Sequence, residues 1–135
     1  MKLPKIFNLK KFTKRSGKLL PMTFNNKFPI KVKRIFIIYG KKNHIRGDHA
    51  HKNCSQVFFP IIGKIKINIK YKKTKKSINL NNNDSRALLV PPRIWTGIEF
   101  LKNNSVVLVL ADREYDFKDY IETYKEFIAF QKRNK

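Results

Sequence analysis

The chain has 135 residues, which suits one compact domain and is too short for two ordinary ones. Hydrophobic residues make up 41% and aromatic residues 13%, so the chain is too apolar for a disordered basic tail and should fold around a core. The 31 Lys and Arg residues against 9 Asp and Glu give a formal charge of +22, which favours an anionic partner such as a nucleotide, a nucleic acid or a lipid surface.

The positive charge is spread along almost the whole chain and is dense only in residues 10–18 and 70–76. Nucleic-acid-binding proteins usually concentrate Lys and Arg on one helix or arm, so we rank a solvated surface above a nucleic-acid interface. No segment approaches the ~18 uninterrupted apolar residues of a membrane span, and no apolar leader follows Met1. Cys54 is the single cysteine, which excludes an internal disulfide. We therefore expect a soluble, cytoplasmic protein.

Most of the chain shows the patterns of short β-strands. Predicted strands lie at residues 19–24, 31–39, 57–62, 65–71, 77–80, 86–90 and 105–111. Residues 31–39 are rich in β-branched and aromatic side chains, which predicts a strand that becomes buried on both faces. Gly63 and Lys64 form a predicted hairpin turn before residues 65–71, which alternate apolar and polar side chains as a half-exposed strand does. The expected fold class is all-β, either a sandwich or a barrel.

The end of the chain changes to a helical period. Apolar side chains recur there at intervals of three and four residues, at Phe117, Tyr120, Ile121, Tyr124, Phe127 and Ile128. This spacing predicts a helix at about residues 116–132, with Asp116 as its N-cap and Asp119 in its first turn. We expect its aromatic side chains to pack on the core.

Two histidines separated by one residue are the chemically informative feature of the sequence. In an extended strand, His49 and His51 would face the same side and present two imidazoles to one cavity. Such a pair can bind a metal or transfer protons. An H-x-H pair by itself also fits two partly exposed polar residues on a strand.

The spacing around these histidines resembles the first motif of the cupin superfamily, in which two His are followed by a Glu and then, after six intervening residues, by a Gly. Here Gln56 stands at the Glu position and Gly63 at the Gly position. The Pro-Pro-Arg-Ile-Trp-Thr turn at residues 91–96 resembles the second motif, with Thr96 in place of the third His. An amide and a hydroxyl are poor ligands for a divalent transition metal, so we expect no metal and no other cofactor.

Within the cupins, the chain is similar to the dTDP-4-keto-6-deoxyhexose 3,4-ketoisomerases, the sugar isomerases of deoxysugar pathways. The resemblance covers nearly the whole chain. It rests on the R-G-x-H-A-H-K run at residues 46–52, on Gln56 and on the P-P-x-I-W turn at residues 91–95. It also includes the Lys-Arg-Ile triplet at residues 33–35, the strand at 106–111 and the aromatic pattern of residues 115–127.

This resemblance implies one cupin jelly-roll domain over residues 1–135. It also implies a homodimer with an active site inside each barrel, and residues 19–24 are a candidate for exchange into the partner's sheet. The implied reaction moves the keto group of a dTDP-linked 4-keto-6-deoxyhexose from C4 to C3 through an enediol. The sugar would serve lipopolysaccharide or other glycan biosynthesis.

In this reaction, His49 and His51 would be the catalytic residues. One would be the carbon base and the other would move a proton between the two oxygens, and we favour His51 as the base. The candidate substrate-binding residues are Arg46, Tyr39, Gln56, Arg93 and Lys41. A structural salt bridge is an equal alternative for Arg46, as core packing is for Trp95.

Three other interpretations remain open at this stage. The chain could be a non-catalytic cupin that binds a nucleotide sugar as a sensor or subunit. It could be a metal-dependent cupin such as an epimerase or dioxygenase, and nucleic-acid binding ranks last. The configuration of the product at C4, galacto or gluco, and the nucleotide base are also open.

Overall fold

The computed structural model describes residues 2–134, and it consists mainly of two facing antiparallel sheets. The strands are β1 (Lys5–Asn8), β2 (Phe12–Lys14), β3 (Gly17–Leu19), β4 (Arg34–Gly40), β5 (Ile45–His51), β6 (Gln56–Ile62), β7 (Lys64–Tyr71), β8 (Thr74–Asn81), β9 (Arg86–Val90), β10 (Trp95–Phe100), β11 (Ser105–Ala111) and β12 (Tyr120–Ile121). The first sheet has the order β1-β9-β6-β11-β4 and the second the order β12-β5-β10-β7-β8, while β2 and β3 form a separate hairpin. A C-terminal helix, α1 (Tyr124–Arg133), completes the fold. The predicted all-β class with a C-terminal helix is confirmed.

The hydrophobic core lies between the two sheets. On β7, Ile65, Ile67 and Ile69 are buried and alternate with half-buried polar side chains, as the sequence pattern predicts. They belong to one cluster with Val107 and Val109 of β11 in the facing sheet. Full burial of a side chain of this size contributes ~1.5–3 kcal/mol, so this cluster holds the two sheets at a fixed spacing.

Strand β4 is an edge strand with two different faces. Arg34, Phe36 and Ile38 are half-buried on the inner face, whereas the side chains between them are exposed. The prediction that this strand is buried on both faces is therefore wrong. Its apolar composition reflects an outer sheet face that nothing else in residues 2–134 covers at β4.

Gly63 connects the two sheets and does not close a hairpin. Strands β6 and β7 lie in different sheets, so the predicted Gly63–Lys64 hairpin is wrong. The φ angle of Gly63 is +94°, and a Cβ built there would lie 2.9 Å from the Cβ of Ser105, so glycine is required at this crossing. A hairpin follows instead between β7 and β8, where Tyr71 pairs with Thr74.

The strand predicted at residues 19–24 is also wrong beyond Leu19, where β3 ends. Residues 20–33 contain no strand. Their apolar side chains, including Leu20, Met22 and Phe28, pack against the outer face of the first sheet around Phe59 and Leu110. A run of apolar residues thus covers a sheet without joining it.

The C-terminal segment forms three short elements where one helix was predicted. The Asp116 side chain accepts a hydrogen bond from the backbone N–H of Lys118 and caps a 3₁₀ turn, and β12 then pairs with β5. The α-helix begins only at Tyr124, with Thr123 as its N-cap, so the predicted helix start is wrong. Within residues 2–134, no helix has the length and apolar character needed to cross a membrane.

Candidate active site

A β-bulge in β5 determines which side chains face the space between the sheets. His49 pairs with Thr96 and Arg46 pairs with Ile98, so three steps on β5 match two on β10. The extra residue lies at Gly47–Asp48, where the φ angles are +88° and +22°. Because residues directly opposite each other in a sheet share a face, Arg46 lies on the same inner face as His49.

The two histidines contact each other at the end of β5. Nε2 of His49 lies 3.2 Å from Nε2 of His51. The ring of Tyr120, on the neighbouring strand β12, packs against both imidazoles, with centroid distances of 4.9 Å to His49 and 4.4 Å to His51. His51 is buried and His49 is half-buried, so the pair is open to a ligand mainly from the His49 side.

A buried carboxylate hydrogen-bonds Nδ1 of His51, the ring nitrogen that does not contact His49. Oδ2 of Asp119 lies 3.1 Å from Nδ1 of His51. The same carboxylate accepts hydrogen bonds from the backbone N–H groups of Asn53, at 2.7 Å, and Cys54, at 3.2 Å. Because a carboxylate only accepts, Nδ1 of His51 carries the hydrogen and its Nε2 presents a lone pair toward His49.

The surroundings of both imidazoles favour their neutral forms near pH 7. Burial lowers the pKa of His49 below its ordinary value of 6.5. Burial, and after it the neighbouring His49, lowers the pKa of His51 to about 4, with Asp119 acting in the opposite direction. The His51–Asp119 contact is therefore a hydrogen bond that a neutral imidazole donates to a carboxylate, and Nε2 of His51 carries no hydrogen.

The facing sheet supplies the opposite wall. Through the register of β4, β11 and β6, Arg34 pairs with Ala111 and Ala111 pairs with Gln56, so the three residues form one row across the sheet. Gln56 is buried in this row. On the histidine side, the Thr96 hydroxyl donates to the backbone carbonyl of Ile94 at 3.2 Å.

Arg46 and Arg93 are both connected with the histidine pair. Arg46 is three positions before His49 in the sequence, and Arg93 contacts His51 through its backbone. Arg46 is exposed and forms no ion pair with any residue from 2 to 134, so the alternative of a structural salt bridge is not found there. The backbone N–H of Arg93 donates to the carbonyl of His51 at 2.7 Å. The Arg93 guanidinium extends over the ring of Phe130 in α1, 5.5 Å from its centroid.

Tyr39 and Lys41 are not brought to the histidines of this chain. Tyr39 is 76% exposed on the outer face of β4, because an odd number of positions separates it from the inward-facing Arg34. Lys41 follows Gly40 at the opposite end of β4 from Arg34.

Trp95 packs beneath α1 on the far side of the second sheet. Its Nε1 donates to the carboxylate of Asp48 at 2.9 Å, and its ring contacts those of Tyr124 and Phe127 with centroids 5.4 and 5.7 Å away. Of the two roles that the sequence allowed for Trp95, the structure supports core packing.

His51 and two side chains close to it carry atoms of the kinds that bind metals. The ligand atoms of His51, Cys54 and Asp119 lie within 4.8 Å of one another. Burial, followed by Asp112, raises the pKa of the Cys54 thiol to about 11, whereas a metal binds the thiolate. The Asp119 carboxylate already accepts hydrogen bonds from two backbone N–H groups and from His51. This donor set fits a hydrogen-bond network better than a metal centre.

Residues 2–132 match the family model described as FdtA: WxcM-like, C-terminal. A curated relative, the TDP-4-oxo-6-deoxy-alpha-D-glucose-3,4-oxoisomerase of Aneurinibacillus thermoaerophilus, is 31% identical over 124 residues, which cover 91% of this chain and 88% of the relative. The sugar 3,4-ketoisomerase QdtA of Thermoanaerobacterium thermosaccharolyticum, solved with TDP, is 31% identical with a TM-score of 0.90, over 97% of this chain and 96% of that chain.

A histidine-to-asparagine variant of QdtA has been solved with TDP-4-keto-6-deoxyglucose, and it is 30% identical with a TM-score of 0.91, over 98% of this chain and 96% of that chain. In fold alone, the likeness extends to the rmlC epimerase of Mycobacterium tuberculosis, which is 16% identical with a TM-score of 0.76 over 87% of this chain and 66% of that chain. These comparisons confirm the cupin-like fold and the isomerase class that the sequence predicted. The chain belongs to the FdtA family, to which it is matched over nearly its whole length, and its relatives are TDP-sugar 3,4-ketoisomerases.

Proposed function

We propose that this protein moves the keto group of a TDP-linked 4-keto-6-deoxyhexose from C4 to C3, using His49 and His51 for proton transfer. The observation that carries the proposal is the 3.2 Å contact between the two Nε2 atoms, with Asp119 bound to the far side of His51. Two neutral imidazoles on the inner face of the second sheet can provide a base and a second proton carrier. The activities of the relatives support the same reaction.

His51 is the base that removes the proton from C3, which the adjacent C4 carbonyl makes acidic. As the C3–H bond breaks, its electron pair forms the C3–C4 double bond, and the carbonyl π electrons move onto the oxygen at C4. His51 then carries a positive charge, and its hydrogen bond to Asp119 becomes an ion pair. The buried carboxylate therefore stabilises the charged state of His51 that the step creates.

His49 completes the isomerisation at the oxygens. It delivers a proton to the oxygen at C4 and accepts the proton of the hydroxyl at C3, so the enediol can collapse to a C3 ketone. The proton held by His51 then returns to carbon at C4. The C–H bond broken at C3 is replaced by one formed at C4, and the C=O bond lost at C4 is replaced by one formed at C3. The sugar therefore undergoes no net oxidation or reduction.

Three further side chains suit the remainder of the substrate. Arg46 shares the inner face of β5 with His49 and is exposed, so it can reach the diphosphate at the mouth of the cavity. The Gln56 amide on the opposite wall can bind a sugar hydroxyl. Arg93 is the third candidate because its backbone N–H bonds the carbonyl of His51, although its guanidinium extends over Phe130 of α1. The net charge of +22 favours the approach of a doubly charged nucleotide sugar.

Incubation with TDP-4-keto-6-deoxyglucose in deuterated water, followed by NMR, tests the proposal directly. We expect the C3 proton signal of the substrate to disappear and a C3 ketone to form. Binding of the nucleotide sugar without exchange at C3 would support the non-catalytic sensor instead.

We also propose that the protein works as a homodimer. The outer face of the first sheet exposes apolar side chains on β4 and β6, the two strands that flank β11, with Ile35 at 53%, Ile37 at 46% and Ile61 at 42% exposure. A continuous apolar surface of this kind is typical of a protein interface. Leu20 and Met22 pack on the same outer face, next to this apolar surface.

The cytoplasm is the compartment that we propose for this reaction. Cys54 is the only cysteine and is free and buried, as is usual for proteins of a reducing compartment.

A further inference from the structure

Arg34 is a partly buried cation on the inner face of β4 that has no anionic partner among residues 2–134. Its Nε is buried and forms no hydrogen bond there. The ion pairs of these residues join His51 to Asp119 and Arg86 to Asp84, so no carboxylate neutralises Arg34. Leaving a buried donor without an acceptor is unfavourable, and more so when the donor is charged, which points to an anion that binds from outside the chain.

Aromatic contacts hold Arg34 on the face of the first sheet that is turned toward the second sheet and its histidines. Its guanidinium carbon lies 5.1 Å from the ring centroid of Phe36 and 5.5 Å from that of Tyr115. Tyr115 in turn packs against Tyr120 at 5.7 Å, and Tyr120 packs against His51. The planar guanidinium is thus stacked and oriented while its N–H groups remain available to a ligand.

Electrostatics also connect Arg34 with the reacting pair. Its charge is one of the causes, after burial and His49, that lower the pKa of His51. Arg34 forms a row with Gln56 on the wall opposite His49 and His51, so a sugar ring bound between the sheets would have the imidazoles on one side and the guanidinium on the other.

We propose that the Arg34 guanidinium binds the sugar oxygen that becomes negative when the C3 proton leaves, and so stabilises the enediolate. This inference rests on the proposed function. The proton transfer makes His51 positive and the C4 oxygen negative. Asp119, His51, the oxygen and Arg34 would then carry charges of alternating sign, each beside an opposite charge.

The diphosphate of the substrate is the competing anion for Arg34. Arg46 and Arg93 are exposed, as suits a large hydrated diphosphate, whereas Arg34 is partly buried against aromatic rings. A desolvated cation stabilises a charge that develops during the reaction more effectively than one that is present throughout. The enediolate oxygen is therefore the better match.

The test compares Arg34→Met with the neighbouring control Lys33→Met, whose parent side chain is exposed. The kcat, the KM, the rate of C3 exchange at saturating substrate and the Kd for TDP would be measured for both. We expect Arg34→Met to lower kcat and exchange by roughly 10²- to 10³-fold, the effect of losing one oxyanion donor, with unchanged affinity for TDP. The control should match the wild type.

Two results would overturn the proposal. Wild-type kcat and exchange in Arg34→Met would remove the catalytic role. Weakened TDP binding with a normal rate at saturation would identify Arg34 as a diphosphate ligand. Circular dichroism checks folding, and Arg34→Gln replaces the Met variant if that one does not fold. Failure of the wild-type protein itself to exchange C3 would refute the proposed function, which is a separate outcome.

Discussion

Asp119 hydrogen-bonds Nδ1 of His51 at 3.1 Å, although 68 positions separate the two residues in the chain. The contact exists because β12 pairs with β5 and places Tyr120 opposite His51. It selects the tautomer of His51 that leaves Nε2 free to accept a proton. Of the two imidazoles, His51 is the one that hydrogen-bonds a carboxylate, which supports the proposal that the two have different roles.

Asp119→Asn should impair catalysis more than it impairs folding. An amide can donate to Nδ1 of His51 and so favour the tautomer whose Nε2 carries the hydrogen, which cannot act as a base. We expect kcat and C3 exchange to fall by ~10²- to 10⁴-fold, as for loss of a positioned base. The acid limb of the pH–rate profile should also change, which a purely structural role would not cause.

Asp116→Asn is the matched control, since Asp116 is exposed and caps the 3₁₀ turn that leads into Asp119. It should retain wild-type kinetics. Asp119→Asn should unfold at a somewhat lower temperature, because the carboxylate also accepts from the Asn53 and Cys54 backbone. A folded Asp119→Asn protein with normal exchange and a normal pH profile would show that Asp119 only supports the loop.

The two histidines should give different exchange results. His51→Asn should abolish exchange of the C3 proton with deuterated solvent, because the carbon base is lost. His49→Asn should leave slow exchange without net isomerisation, because the oxygen shuttle is lost. Either change should lower turnover by ~10²- to 10⁴-fold. NMR in deuterated water separates the two effects, and the exposed His44 provides the control His44→Asn.

The opposite pattern, with exchange lost in His49→Asn and kept in His51→Asn, would exchange the two assignments. Wild-type rates in both variants would refute the catalytic pair altogether.

Acidification should reduce both activity and stability in a defined range. Because burial lowers the pKa of His51 to about 4, the free enzyme should keep an unprotonated base well below pH 6.5, and the acid limb of kcat/KM should fall below that value. The unfolded chain binds the proton first, so the free energy of unfolding should decrease as the pH falls from 6.5 toward about 4. Urea unfolding across this range measures the decrease, which should be smaller in His51→Asn. An acid limb above pH 6.5 would contradict the environment described for His51.

The sequence predicts the parts of this site that depend on local spacing. Alternation along a strand was enough to place His49 and His51 on one face. Arg46 lies three positions from His49, and only the bulge at Gly47–Asp48 brings it to the same face. A one-residue irregularity of this kind depends on pairing with β10, which local spacing does not encode.

Other parts depend on contacts between distant segments. Asp119 looked like a first-turn residue of a helix, because apolar spacing alone does not distinguish a helix from a turn followed by a short paired strand. The sequence presents Arg34 only as part of the Lys-Arg-Ile triplet, and its inward direction follows from the register with Ala111. The family resemblance suggests Tyr39 for the site and sequence position suggests Lys41, whereas strand alternation and the length of β4 separate both from the histidines.

Metal removal should leave the activity unchanged. Gln56 and Thr96 stand where a metal-binding cupin has Glu and His, and Thr96 already donates to a backbone carbonyl. Dialysis against a chelator, with metal analysis before and after, should not alter kcat. Cys54→Ala should also retain the rate, because the protonated thiol has no proposed role in proton transfer. Stoichiometric zinc, iron or manganese whose removal abolishes activity and whose return restores it would establish a metal centre instead.

A charge on the outer face of the first sheet should separate the proposed dimer. Ile37 is 46% exposed near the middle of β4 and is flanked by the exposed Ile35 and Tyr39. Ile37→Asp would place a carboxylate in an apolar interface, where burying an unpaired charge is strongly unfavourable. We expect sedimentation velocity to show a dimer for the wild type and a monomer for this variant. The matched control is Ile45→Asp, since Ile45 is 52% exposed but lies on the second sheet. A wild-type monomer at micromolar concentration would refute the dimer. A dimer that persists in Ile37→Asp and dissociates in Ile45→Asp would place the interface on the second sheet.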